Sequence, residues 1–122
     1  MPRVVHFDIS ADQPERALAF YRDVFGWRIE KWKGPFDYWL VMTGDPKTPG
    51  IDGGLARRDS PATTITNFIE VPSIDEYLGR VSEHGGSVFQ DKQAIPGVGD
   101  IAVCRDTEGN LIGLIQNDTS TR

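Results

Sequence analysis

Hydrophobic and polar residues alternate almost from the first residue. Over Val4 to Ile9, Val5, Phe7 and Ile9 fall on one face and His6 and Asp8 on the other, the period-two pattern of a half-buried strand. The period then lengthens: Ala17, Leu18, Tyr21, Val24 and Phe25 form a helical stripe. Asp12 and Glu15 have capping-box spacing, Pro14 suits a first helical turn, and Gly26 closes the helix. Strands are predicted over 27–33 and 37–43, parted by Gly34-Pro35. A weaker one is predicted over 51–56, beyond the Gly- and Pro-rich loop 44–50.

After a polar connection at 57–62 the same order begins again. A strand is predicted at 64–71, then a helix in which Ser73 and Glu76 form a capping box ahead of Ile74, Tyr77, Leu78 and Val81, closed by Gly85-Gly86. Short strands at 87–90, 100–105 and 111–116 follow, with a loop at 95–99, a tight turn at 106–110 and a polar tail after Gln116. A constant offset carries Ile9 onto Ile69, Leu18 onto Leu78 and Gly26 onto Gly86. The pattern predicts a single α+β domain over 1–122, built from two tandem βαβββ modules at about 3–57 and 63–117. Together these would make a curved eight-stranded mixed sheet with a concave cup and helices on the convex side.

That geometry sorts the side chains. The helices must cover the faces bearing Phe7 and Ile9 and, in the second module, Ile69 and Val71. His6 and Asp8, with Thr66, Phe68 and Glu70, are left on the cup side, a polar and aromatic mixture suited to a small-molecule site. Tyr38 and Trp39 are consecutive strand residues, so only one faces the cup; the pattern does not fix which, and Trp39 is carried as the pocket candidate. A glycine within a strand, as at Gly53-Gly54 and Gly113, marks a close approach of other atoms or enlarges the cup.

Composition narrows the function classes. The 122-residue chain is 39% hydrophobic and 25% charged, ordinary for a globular domain. Its net charge of −5 disfavours a nucleic-acid surface. No apolar run approaches the roughly 20 residues of a membrane helix, and no secretory h-region opens the sequence. The single cysteine, Cys104, lies in a predicted strand and reads as a buried hydrophobe, consistent with a reducing, cytoplasmic setting. Arg57-Arg58 reads as a solvated turn, and His84 as a favourable charge at a helix C-terminus.

His6-Phe7-Asp8-Ile9, the run from Pro14 to Trp27, the loop 95–99 and Asp106-Thr107-Glu108-Gly109-Asn110 together resemble the vicinal-oxygen-chelate proteins. These are the glyoxalase, bleomycin-resistance and extradiol dioxygenase superfamily, and the likeness extends over about 4–116. It implies a metal-dependent lyase, isomerase or dioxygenase, commonly dimeric, whose divalent ion is held by the first and last strands of both modules. Carried over, those ligand positions fall on His6, on Thr66, near Gly54 and on Gly113. One usable donor remains of four, against the three or so that such an ion requires. Asp8, Glu70 and Asp52 are displaced from the ligand positions, and only a bulge or register shift would bring Asp52 in.

The expected function is therefore metal-free binding of a small, planar or aromatic organic molecule, with no cofactor, by a homodimer. The pocket is assigned to His6, Asp8, Trp39, Thr66, Phe68 and Gly113. Whether the protein is an enzyme is left open. A metal-dependent lyase, isomerase or dioxygenase is the alternative, and a purely structural role with Trp32 as an interface anchor is a third reading.

Overall fold

The computed structural model describes residues 2–117, and the final part of the polar tail expected from the sequence lies outside them. The βαβββ order is present twice. The first run is β1 (Arg3–Ala11), α1 (Pro14–Phe25), β2 (Arg28–Lys31), β3 (Tyr38–Met42) and β4 (Gly53–Arg57). The second is β5 (Ile65–Glu70), α2 (Ile74–Glu83), β6 (Ser87–Ile95), β7 (Gly99–Arg105) and β8 (Leu111–Asn117). The class is α+β, with eight strands in mixed parallel and antiparallel pairing. Two compact units result, one of His6–Thr66, the other of Asn67 onward with the start of the chain up to Val5.

In the first module the strands lie in the order β2-β3-β4-β1. Strands β2, β3 and β4 pair antiparallel, whereas β4 runs parallel to β1, with Asp8 opposite Gly54. Alternation along β1 does what the sequence requires. Ile9 and Ala11 are buried with Trp39, Val41 and Leu55, and Phe7, Ala17, Leu18, Tyr21 and Trp27 pack around them beneath α1. Burying a side chain such as Leu55 or Val41 contributes about 1.5–3 kcal/mol. Tyr21 and Trp27 stack with ring centroids 5.4 Å apart, which anchors the end of the helix to the chain beyond it.

The second module repeats the plan in the order β5-β8-β7-β6, with β8 parallel to β5 and Phe68 opposite Gly113. Val71, Ile74, Ala102, Cys104 and Leu114 are buried beneath α2, with Ile69, Tyr77, Leu78 and Val81 around them. Cys104 is fully buried, and burial pushes its thiol pKa up, as expected for a small core hydrophobe and not for a nucleophile. Between β7 and β8, Asp106 accepts the backbone N–H of Asn110 (2.9 Å), the Asn110 side-chain amide (3.1 Å) and the backbone N–H of Glu108 (2.8 Å). These donors, those of Asn110 foremost, hold its carboxyl below the usual carboxylate range.

Several local expectations are corrected. Asp12 does not cap α1: Gln13 stands at the N-cap without a side-chain bond, and Asp12 instead accepts from Arg58 Nε at 2.9 Å. Arg58 is not a solvated turn residue. Its guanidinium also donates to the carbonyls of Thr63 and Ser10, tying the inter-module connection to the end of β1. Strand β6 continues through Ile95 where only 87–90 was expected. Its pairing with β7 is broken by irregularities between Val88 and Gln90 and between Gln90 and Gln93. The α2 cap forms as expected, Ser73 Oγ accepting the Glu76 N–H, and His84 Nδ1 donates to the Arg80 carbonyl.

Candidate functional site

The face of β1 turned away from α1 carries His6 and Asp8, and β3 adds Tyr38. Three bonds close this group: Tyr38 Oη donates to Asp8 Oδ1 at 2.6 Å, and His6 Nε2 lies 2.8 Å from Asp8 Oδ1 and 2.9 Å from Tyr38 Oη. A carboxylate has no proton to give, so Nε2 donates to Asp8. The single phenolic proton is already directed at Asp8, so Tyr38 Oη is a second acceptor for the same imidazole N–H. Asp8 thus fixes the tautomer of His6 and the orientation of both rings.

Gly54 makes this arrangement possible. A Cβ built there would overlap Tyr38 Oη, so the phenol head occupies the room that a side chain at 54 would take. The strand pairing explains why. Gly54 lies opposite Asp8 on β1 and opposite Leu40 on β3, and Tyr38, two residues from Leu40, leans across the gap. Gly113 repeats the device with different chemistry: a Cβ there would overlap the ring of Phe68, which covers the backbone of its neighbouring strand. Neither glycine enlarges a cavity; in both modules an aromatic ring takes the vacated space.

Within each unit, several of the sequence-assigned site residues come together. His6 and Asp8 come together, joined by Tyr38. Phe68 and Gly113 come together in the second module. Thr66 is buried on the Phe68 face of β5, and it is the buried polar residue of the described core. Trp39 belongs to neither group. It is 8% exposed in the core with Ile9, Val41 and Leu55, so of the two adjacent aromatics it is Tyr38, and not Trp39, that turns to the His6–Asp8 face. Adjacent strand residues point to opposite faces, and β3 sets its register through β4, which the sequence around Gly53-Gly54 did not reveal.

The residues do not fit the divalent ion that the resemblance implies. Of its four ligand positions, His6 alone carries a strong donor, the places at Gly54 and Gly113 are filled by rings, and Thr66 is buried. Asp52 is engaged elsewhere, accepting the backbone N–H of Thr43 at 2.9 Å, and Glu70 accepts from the Asn117 amide. Among the described residues no group of three or more His, Cys, Asp or Glu side chains is placed to hold a metal ion. Tyr38 is no substitute as a phenolate ligand. Burial, then the charge and hydrogen bond of Asp8, push its pKa well above the ordinary tyrosine value.

That upward shift has a measurable consequence. Folding favours the protonated phenol, so the stability Tyr38 contributes is intact below the unfolded pKa of about 10 and is lost as pH rises above it. Urea melts across that range are expected to show wild-type stability falling more steeply than that of Tyr38→Phe, by up to about 1.4 kcal/mol per pH unit. Parallel curves for the two proteins would contradict the assignment.

A duplicated βαβββ chain with a polar cluster on the helix-free face of its first strand defines a class of paired-module proteins. The chain belongs to the Glyoxalase/Bleomycin resistance protein/Dioxygenase superfamily, whose sequence profile matches residues 3–114. It is similar in structure to methylmalonyl-CoA epimerase from Mycobacterium tuberculosis, with a TM-score of 0.68 and 14% identity over 97% of this chain and 89% of that one. A hypothetical protein of Bacillus halodurans C-125 aligns with a TM-score of 0.69 and 15% identity, over 96% and 95% of the two chains. A superfamily member from Vibrio splendidus 12B01 aligns with a TM-score of 0.65 and 14% identity, over 96% and 100%. At these identities the likeness is one of fold. A search of curated proteins finds no match.

Proposed function

We propose that this protein binds a small organic molecule on the helix-free face of its first module, without a metal ion, holding it through the His6–Asp8–Tyr38 cluster. The observation that carries the reading is the phenol head of Tyr38. It stands in the space next to Gly54 and is bonded to the histidine and aspartate, so hydrogen-bonding groups replace a coordinating carboxylate. Three side chains that fix one another's orientation form a pre-organised polar surface, which lowers the ordering cost of binding. Trp32, half-buried between Phe36 and Tyr38, continues that surface as an aromatic wall.

Thermal-shift titration with a chemically diverse set of aromatic compounds tests this. A ligand at a hundred times its Kd is expected to stabilise the folded protein by about 2.7 kcal/mol, and Asp8→Ala to abolish the effect. Elemental analysis of protein purified without chelators accompanies it. A full equivalent of Zn, Ni, Fe or Mn that is lost in His6→Ala would defeat the reading in favour of a metal-dependent lyase, isomerase or dioxygenase.

The reading carries a homodimer in the cytoplasm, with neither nucleic acid nor membrane as a partner. In support stand the acidic net charge and the absence, among the described residues, of a helix long and apolar enough to cross a membrane. Sedimentation at micromolar concentration tests the dimer.

A further inference from the structure

We infer that the ligand of the first module's helix-free face is an organic cation, a protonated amine on an apolar or aromatic body, received by Asp8. This rests on the binding reading above and adds the chemical class of the ligand.

The carboxylate of Asp8 is used on one side only. Oδ1 accepts from Tyr38 and from His6, whereas among the described residues Oδ2 has no hydrogen-bond partner. The side chain is 31% exposed, and no buried side-chain oxygen among the described residues is left unsatisfied, so Oδ2 faces solvent. A carboxylate oxygen accepts and never donates. One held in place by two donors through its twin atom needs no reordering to receive an N–H, and an ionised donor gives the shorter, stronger bond.

Beside that oxygen lies a surface suited to the rest of such a molecule. Tyr38 spans the two regions. Its hydroxyl is on Asp8, and its ring meets Trp32 edge-on at 5.9 Å between centroids, with an interplanar angle of 81°. Trp32 in turn lies 5.1 Å from Phe36, which is 48% exposed. Aromatic faces carry the negative side of the ring quadrupole, so the wall attracts a cation as well as burying an apolar body. Near this carboxylate, donors already have acceptors: His6 Nε2 directs its N–H at Asp8, and Arg28 is paired with Glu30 at 3.5 Å. A carboxylate or phosphate would meet the like charge of Asp8. The net charge of −5 adds long-range attraction for cations.

Three probes of matched shape separate the possibilities: 2-phenylethylamine, 2-phenylethanol and 3-phenylpropionate, titrated near neutral pH by ligand-observed NMR. The amine is expected to bind about 10-fold tighter than the alcohol, with no saturable binding of the propionate. Asp8→Asn is expected to bring the amine down to the alcohol's affinity in the same variant, removing the roughly 10-fold preference. Trp32→Ala is expected to weaken both and preserve their ratio. Salt supplies a measurement on the unaltered protein, since the amine alone should lose affinity as ionic strength rises. An alcohol that binds as tightly as the amine overturns the cation assignment and leaves small-molecule binding standing. Failure of all three probes to bind overturns both.

Discussion

Gly54→Ala is expected to weaken ligand binding on the first module's helix-free face by at least about 10-fold and to lower stability by about 1–3 kcal/mol. The new Cβ would occupy the position of Tyr38 Oη. Relief requires the phenol to swing out, and both of its bonds, to Asp8 and to His6, go with it. His6 and Asp8 then lose the partner that fixes them, so the effect on binding should exceed that expected of a methyl group. The cause can be isolated with a second change. In a Tyr38→Leu background the shorter side chain leaves the space free, and adding Gly54→Ala should cost little more. A double-mutant cycle by urea denaturation measures that coupling. A Gly54→Ala protein with wild-type stability and affinity would show that the phenol does not depend on the glycine.

On the other side of the same strand the expected loss is larger and of a different kind. Leu55 is fully buried among Ile9, Ala11, Trp39 and Val41. Leu55→Ala is expected to destabilise the protein by about 2–5 kcal/mol, the transfer of the lost methyl groups plus the cavity they leave. Against a typical total of about 5–15 kcal/mol, that removes a large share of the stability. Leu55 points away from the Gly54 face, so the fraction that remains folded should keep wild-type affinity. Equilibrium unfolding gives the first quantity, and titration below the melting temperature gives the second. A loss under about 1 kcal/mol would mean that the core beneath α1 closes over the gap.

The duplicated architecture was legible because it is written in periodicities. The alternation of Val5, Phe7 and Ile9 against His6 and Asp8, and the stripes of the two helices, required no tertiary information. The His6–Asp8 half of the site was readable for the same reason. Its third member was not. Tyr38 and Trp39 are both large, aromatic and adjacent, so composition cannot assign their faces; the register of β3 on β4 does. Strand β4 opens with two glycines that carry no alternation. Arg58 and Asp12 were misread because their partnership joins positions far apart in the chain, and a local capping signal at Asp12 competed with it. Beyond Gln90 the run Asp91-Lys92-Gln93 is polar throughout, and β6 is held there by renewed pairing with β7 from Gln93 and by Lys92, which donates to Asp75 of α2 at 3.1 Å.

The broken register of β6 also bears on behaviour at high concentration. This nine-residue strand ends its half-sheet, and a straight outermost strand would offer a neighbouring molecule a continuous row of amide and carbonyl groups. Two slips along its length interrupt that row, and Asp91 and Lys92 add charges within the second. An incoming chain finds no uninterrupted template on which to extend cross-strand pairing, a built-in resistance to edge-to-edge aggregation.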